Sequence, residues 1–274
     1  MAGLLLLWVL AGCSDSKMIA KTESSKRSAH PNSVDLKVMT YNVHHCNPPS
    51  KERVGIIELG SVAKVIAAES PDIVFLQEID DHNSRSGKDI NQAEALAKQL
   101  GMNYYFGKAI DFAGGGYGVA LLSKFPLSAL QVYALPKSEN LKSEQRVLLT
   151  AIATLENRQK LRIACTHLDV VSTENRVMQS SKIAEILKKD TLPVVLGGDF
   201  NDTLASKTIS HLANSFQLDC QSCLPTVPAD MPKDAIDYIF TDKKYKWKVL
   251  FYQVGEDHYA SDHRPVISRL SFQK

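Results

Sequence analysis

A chain of 274 residues with 44% hydrophobic and 23% charged content has the composition of an ordinary folded protein and the length for one enzyme-sized domain. Its 32 basic and 30 acidic residues leave a net charge of +2. That balance excludes reading a nucleic-acid partner from charge alone, because such a footprint needs clustered basic residues, and it leaves the substrate open.

The chain opens on an apolar run, residues 4–10, followed by Ala11, Gly12 and Cys13 and then by polar Ser14, Asp15 and Ser16. A helix that spans a bilayer needs about 20 apolar residues; this run is too short for that and has the length of a signal-peptide apolar region. Leu10-Ala11-Gly12-Cys13 resembles a bacterial lipobox, which implies cleavage before Cys13, lipidation of that cysteine and export to the periplasmic or surface face of the cell envelope. One departure is that no Lys or Arg precedes the run. Residues 14–35 are rich in Ser, Lys, Thr and Asn with few large apolar side chains, so burial cannot offset their ordering entropy. Residues 1–13 are read as the signal, 14–35 as a flexible tether and 36–274 as one domain.

In the body, runs rich in β-branched residues predict strands over 36–43, 73–77, 118–123, 147–155, 161–166, 193–196, 236–241, 247–252 and 265–270. Leu59, Val62, Ala63 and Ile66 recur at i, i+3, i+4 and i+7 before Pro71 and predict a helix; two more are expected over 89–100 and 172–189. Short apolar runs alternating with amphipathic stretches predict a layered α/β domain, with no internal repeat. Cys220 and Cys223 stand three apart in a chain expected to be exported, which predicts a local disulfide. A redox motif or half a zinc site are the alternatives, without a second Cys-x-x-Cys pair to support them.

Polar residues with chemistry stand where apolar runs stop. Asn42 follows Val38-Met39-Thr40-Tyr41, Glu78 follows Ile73-Val74-Phe75-Leu76-Gln77, His167 follows Ile163-Ala164-Cys165-Thr166, and Asp199 follows Val194-Val195-Leu196 and two glycines. Strand ends at one edge of a sheet bring distant residues together. A cluster of carboxamide, carboxylates and imidazoles is what an oxygen-ligated metal ion and a phosphoryl group require.

Six motifs in order, Thr40-Tyr41-Asn42, Leu76-Gln77-Glu78, Thr166-His167-Leu168-Asp169, Gly198-Asp199-Phe200-Asn201, Asp237-Tyr238-Ile239-Phe240 and Ser261-Asp262-His263, give a chain that resembles the endonuclease/exonuclease/phosphatase superfamily, the DNase I-like hydrolases, across about 36–270. The resemblance implies a four-layer α/β sandwich, two packed β-sheets flanked by helices, with the site at the sheet edges. It also implies a Mg²⁺-dependent phosphoester hydrolase, with Mn²⁺ or Ca²⁺ as alternatives, in which a positioned water attacks phosphorus in line. Glu78 would hold the metal, with Asn42 in the ligand sphere or on a phosphate oxygen and Asp262 adding a carboxylate. His263, partnered by Asp237, would do acid or base work. Asp199 and Asn201 would orient or activate the water and hold a phosphate oxygen, and His167 would donate to the leaving oxygen.

Tyr117, among the glycines at 114–118, and Arg146 would supply softer phosphate contacts. His44, His45 and Arg85 would border the substrate, and Asp169 would either line the site or face solvent. The shared motifs read only the phosphate, so nucleic acid, lipid headgroup and small phosphorylated molecule all stand as substrate classes, nucleic acid as substrate only. The expected partners are that phosphoester and the membrane through lipidated Cys13, with the chain acting as a monomer. The alternative is a catalytically silent envelope lipoprotein that uses the scaffold for binding.

Overall fold

The computed structural model describes residues 33–139 and 143–273. The lipobox at Cys13 and residues 14–32 of the expected tether lie outside the described residues. Residues 33–35 do not belong to the tether: β1 (Ser33–Asn42) pairs with β12 (Val266–Gln273) from Ser33 to Thr40, and Asp35 takes paired hydrogen bonds from Arg269. The domain therefore starts three residues earlier than the loss of apolar residues suggested.

Among the described residues, twelve strands form two six-stranded sheets. In the first, β1 lies between β12 and the parallel β2 (Ile73–Asp81); β4 (Gly115–Ser123) and β3 (Asn103–Phe112) continue beyond β2, and β11 (Lys246–Val254) closes the other edge. In the second, β6 (Val147–Thr154), β7 (Lys160–His167), β8 (Val194–Asp199) and β10 (Asp237–Asp242) form the centre, with β5 (Leu127–Ala134) and β9 (Phe216–Leu218) at the edges. Both parallel pairs, β1–β2 and β7–β8, are joined through helices, as parallel neighbours must be. These are α1 (Leu59–Glu69) in the first and α3 (Thr173–Lys188) in the second.

Strand alternation explains the layers. Val38, Ile73, Phe75, Leu121, Leu149, Ile163, Val195 and Ile239 point between the sheets. Their neighbours Met39, Val74, Leu76 and Ala120 turn outward to meet Val62 and Ile66 of α1 and Leu96 of α2 (Gln92–Leu100). On the other side Leu148, Ala164, Leu196 and Phe240 meet Ile183 and Leu187 of α3 and Ile209 and Leu212 of α4 (Lys207–Ala213). The order helix, sheet, sheet, helix is the expected four-layer sandwich. The sheets approach closely at Gly197, where an added Cβ would stand 2.3 Å from the Phe75 ring. A side chain there would push the sheets apart beside the strand ends that matter below.

Cys220 and Cys223 form the expected local disulfide. Asp219, next to it, is buried; the Ser268 hydroxyl donates to its Oδ2, and Oδ1 has no partner among the described residues. Burial pushes this carboxyl up to about 7. A carboxyl raised on folding stabilises fully below its unfolded value of about 3.9, and that contribution is lost as pH rises through the folded value. Asp219→Asn is expected to flatten the fall in stability between about pH 4 and pH 7 and to gain roughly 2–3 kcal/mol at about pH 8. Urea melts of both proteins across that range check it; parallel stability curves would show that Asp219 does not titrate there.

Candidate functional site

The site forms where the ends of the central strands of both sheets meet. In the second sheet, His167 ends β7, Asp199 ends β8 and Asp237 begins β10, and the register pairs His167 with Asp199 and Asp199 with Asp237. Residues at one register level point to the same face, so two carboxylates and an imidazole stand in a row. In the first sheet, Asn42 ends β1 opposite Gln77 of β2. Gln77 is buried beneath, its amide donating to Thr40 Oγ1 at 3.1 Å and to Cys165 Sγ at 3.4 Å.

Glu78 is not at a strand end. β2 runs on to Asp81, and its pairing with β4 slips between Leu76 and Ile79, a bulge in which Glu78 has φ 59°. Such an insertion re-aims a side chain, here out of the helix-facing core and into the site. The left-handed backbone of a glutamate is strained by about 1–3 kcal/mol, which the paired strand on either side sustains.

Asn42 ties the two sheets at this point: its Nδ2 donates to Glu78 Oε1 and to Asp199 Oδ2, each at 3.0 Å, and its Oδ1 accepts from the His44 amide at 3.1 Å. With these contacts Asn42 spans the Glu78 and Asp199 carboxylates at the junction of the two sheets. Burial opposes the charge on Glu78, but His45, His167, Asn42 and His44 around it prevail and hold the carboxyl well below its ordinary range. Its Oε2 is free of hydrogen bonds among the described residues; His45 Nδ1 stands 4.0 Å away.

His263 Nδ1 donates to Asp237 Oδ2 at 2.9 Å, and the same oxygen accepts from Thr226 Oγ1 at 2.6 Å. Burial works against the imidazolium, but Asp237 outweighs it and raises His263 to about 10. Its Nε2 lies 3.8 Å from Asp199 Oδ2. His167 is the opposite case: burial, then the Arg146 cation, lower it to about 3, so it is neutral, with Nε2 3.5 Å from the same Asp199 oxygen. Asp199 itself is buried and next to Asp237, and both push its carboxyl well above the ordinary range. One carboxylate thus faces one charged and one neutral imidazole.

Arg146 is buried, with its Nε unpartnered among the described residues and its terminal nitrogen 3.4 Å from the half-exposed Glu144. Burial and the Glu78 charge push the Tyr117 phenol far up although Arg146 faces it, so the hydroxyl stays a donor. Other expected residues serve the frame. Asn201 donates its amide to Leu168 O at 3.0 Å and its backbone N–H to Asp199 Oδ1 at 2.8 Å, which pins the loop under Asp199. Asp169 neither lines the site nor faces solvent; its Oδ1 accepts from the amides of Val171 and Ser172 and organises the entry to α3. Arg85 spends its charge on Asp80, at 2.9 and 2.7 Å, while its guanidinium covers the rings of Phe112 at 4.3 Å and Tyr117 at 5.4 Å.

Asp262 is half-buried beside His263, its Oδ1 accepting from Ser261 Oγ at 3.3 Å, and it is not among the ligand atoms that converge on Glu78. Thr226 was invisible in the sequence: it lies in an irregular connection, and nothing local marks it as the group that fixes Asp237.

Comparison with known proteins agrees with this geometry. Residues 39–263 match the Endonuclease/Exonuclease/phosphatase family. The uncharacterized protein YbhP of Escherichia coli is 26% identical over 175 residues, 61% of this chain and 67% of that protein. An endonuclease/exonuclease/phosphatase from Beutenbergia cavernae superposes with a TM-score of 0.73 at 24% identity, over 87% of this chain and 72% of that one. The mannosyl-6-phosphatase Bt3783 of Bacteroides thetaiotaomicron superposes with a TM-score of 0.66 at 18% identity, over 86% and 99% of the two chains.

Proposed function

The chain belongs to the endonuclease/exonuclease/phosphatase family, and from that premise we propose that it is a divalent-metal-dependent phosphoesterase, in which water attacks phosphorus at the junction of the two sheets. The observation that carries this reading is the row His263, Asp199, His167: a cation, a carboxyl raised above its ordinary range and a neutral imidazole around one point. Phosphoester hydrolysis needs a base for water, positive charge for the phosphoryl oxygens and a donor for the leaving oxygen.

Asp199 is the base in this account, since burial and the neighbouring Asp237 raise its carboxyl above the ordinary range and make it more ready to take a proton. His263, fixed by Asp237, presents N–H and charge to the phosphoryl group. His167, neutral and with a single ring N–H, stands beside Asp199 and offers that N–H at the leaving side. Tyr117 and Arg146 complete the anion cradle with a hydroxyl and an unused guanidinium N–H. The donor set at Glu78 fits a divalent cation: an ionised, half-buried carboxylate with one oxygen free of hydrogen bonds among the described residues. Such a cation supplies charge neutralisation at a phosphoryl oxygen. Everything else follows from the chain's own residues.

Full-length protein should hydrolyse p-nitrophenyl and bis(p-nitrophenyl) phosphate with added Mg²⁺ or Mn²⁺ and lose that activity in chelator. Equal turnover in chelator would sink the metal requirement. The preferred ester decides between monoester and diester chemistry. Arg146→Met is expected to raise KM about tenfold or more with a smaller change in kcat, the loss of one charge-assisted phosphate contact; an unchanged KM would place Arg146 outside the substrate site.

Anchorage through Cys13 would put the site at the membrane surface of the envelope and favour substrates outside the cytoplasm. No helix among the described residues is long and apolar enough to cross a membrane. Labelled fatty acid should enter the wild-type protein and not Cys13→Ala; label in neither removes the anchor.

A further inference from the structure

Directly after β1 the chain makes a single tight turn, His44–Cys46, whose three residues have φ 45°, 42° and 57°. The turn swings two adjacent imidazoles to the same side. The ligand atoms of His44, His45 and Glu78 lie within 4.8 Å of one another, although the six sequence motifs assign neither histidine.

Each ring is prepared differently. His44 Nδ1 donates to the Asn47 carbonyl at 2.9 Å, which leaves the lone pair on Nε2. A metal-bound histidine is held in this way, its second nitrogen donating to a carbonyl that fixes tautomer and orientation. His45 Nδ1 is buried with no hydrogen-bond partner among the described residues, 4.0 Å from Glu78 Oε2. That distance is too long for a hydrogen bond and is one that an ion about 2.1 Å from each atom spans. The backbone of His45 is anchored by Gln92 Nε2, which donates to its carbonyl at 2.7 Å, and the two rings meet edge to face at 4.5 Å. A histidine kept only for packing would have its buried nitrogen satisfied.

We propose that His44 and His45 join Glu78 in a two-imidazole, one-carboxylate site that takes Zn²⁺, Co²⁺ or Mn²⁺ in preference to Mg²⁺. Imidazole nitrogen suits borderline first-row ions, whereas Mg²⁺ keeps oxygen ligands and water. The inference deepens the reading of a cation at Glu78 and rests on it. It replaces the Mg²⁺ expected from the sequence by a nitrogen-selected ion.

The test is calorimetric titration of metal-free full-length protein with Zn²⁺, Co²⁺ and Mg²⁺, beside pulsed EPR of the Mn²⁺ complex. Wild type should bind Zn²⁺ and Co²⁺ at least about tenfold tighter than Mg²⁺ and show ¹⁴N coupling to Mn²⁺. His44→Ala and His45→Ala should each weaken Zn²⁺ and Co²⁺ about tenfold or more and leave Mg²⁺ within about threefold. His45→Phe, which keeps the ring volume, gives the same answer if the alanine variant folds poorly. Equal affinity for Mg²⁺ and Zn²⁺, or Zn²⁺ affinity and ¹⁴N coupling indifferent to both substitutions, overturns the site. Histidine-dependent Co²⁺ binding without turnover of any phosphoester would sink the proposed function and leave this site standing. Turnover with metal affinity untouched by either histidine would do the reverse.

Discussion

His263→Ala is expected to lower kcat by about three orders of magnitude or more, because it removes at once the cation and the N–H donor nearest Asp199. The charge on His263 is built by its surroundings: buried Asp237 accepts from Nδ1 at 2.9 Å and is itself held by Thr226 at 2.6 Å. Removing the imidazole leaves Asp237 with Thr226 alone, so a loss of about 3 kcal/mol or more in stability should accompany the loss of rate. A milder variant separates the two effects. Asp237→Asn keeps the shape but not the charge that raises His263 to about 10, so the alkaline limb of the pH–rate profile should move down in pH. An Asp237→Asn profile identical to wild type would mean that the pair is structural.

Glu78→Gln is expected to weaken divalent-metal binding about a hundredfold or more and to take kcat down with it, while the melting temperature stays within a few degrees. The side chain keeps its length and the contact with Asn42, and only the charge leaves. Glu78→Gly sharpens the argument. Glycine accepts φ 59° without strain, so this variant should fold at least as stably as wild type and still bind metal no better than Glu78→Gln. A glycine variant that is markedly less stable would show that Glu78 supports the fold and not chemistry. Isothermal titration beside thermal melts reads both quantities.

The legible parts of the fold are those buried on both faces. β1, β2, β4, β6, β7, β8, β10 and β12 were all visible as apolar runs because sheet-facing and helix-facing residues are both apolar, as Val38 and Met39 are. β11 was also legible, although it is an edge. β3, β5 and β9 were not, since edge strands expose much of their length: Leu130 and Val132 of β5 are exposed, and β9 has three residues. The seven-residue α4 was missed for the same shortage of pattern.

The site divides in a similar way. Residues at strand ends, His167, Asp199 and Asp237, could be placed together because register fixes them. The bulge at Glu78, the hydroxyl of Thr226 and the turn that aims His44 and His45 depend on contacts between segments far apart in sequence, and no local pattern carries them. Asp262, taken from the motif as a metal carboxylate, stands beside His263, and Asn42 spans the Glu78 and Asp199 carboxylates.

The most direct measurement of the central claim is hydrolysis of bis(p-nitrophenyl) phosphate by metal-loaded full-length protein in H₂¹⁸O, with His263→Ala beside it. Attack of water on phosphorus predicts ¹⁸O in the p-nitrophenyl phosphate, none in the phenol, and no labelled product from His263→Ala. Label in the phenol, or no turnover of this ester or any other by folded protein with metal bound, would contradict it.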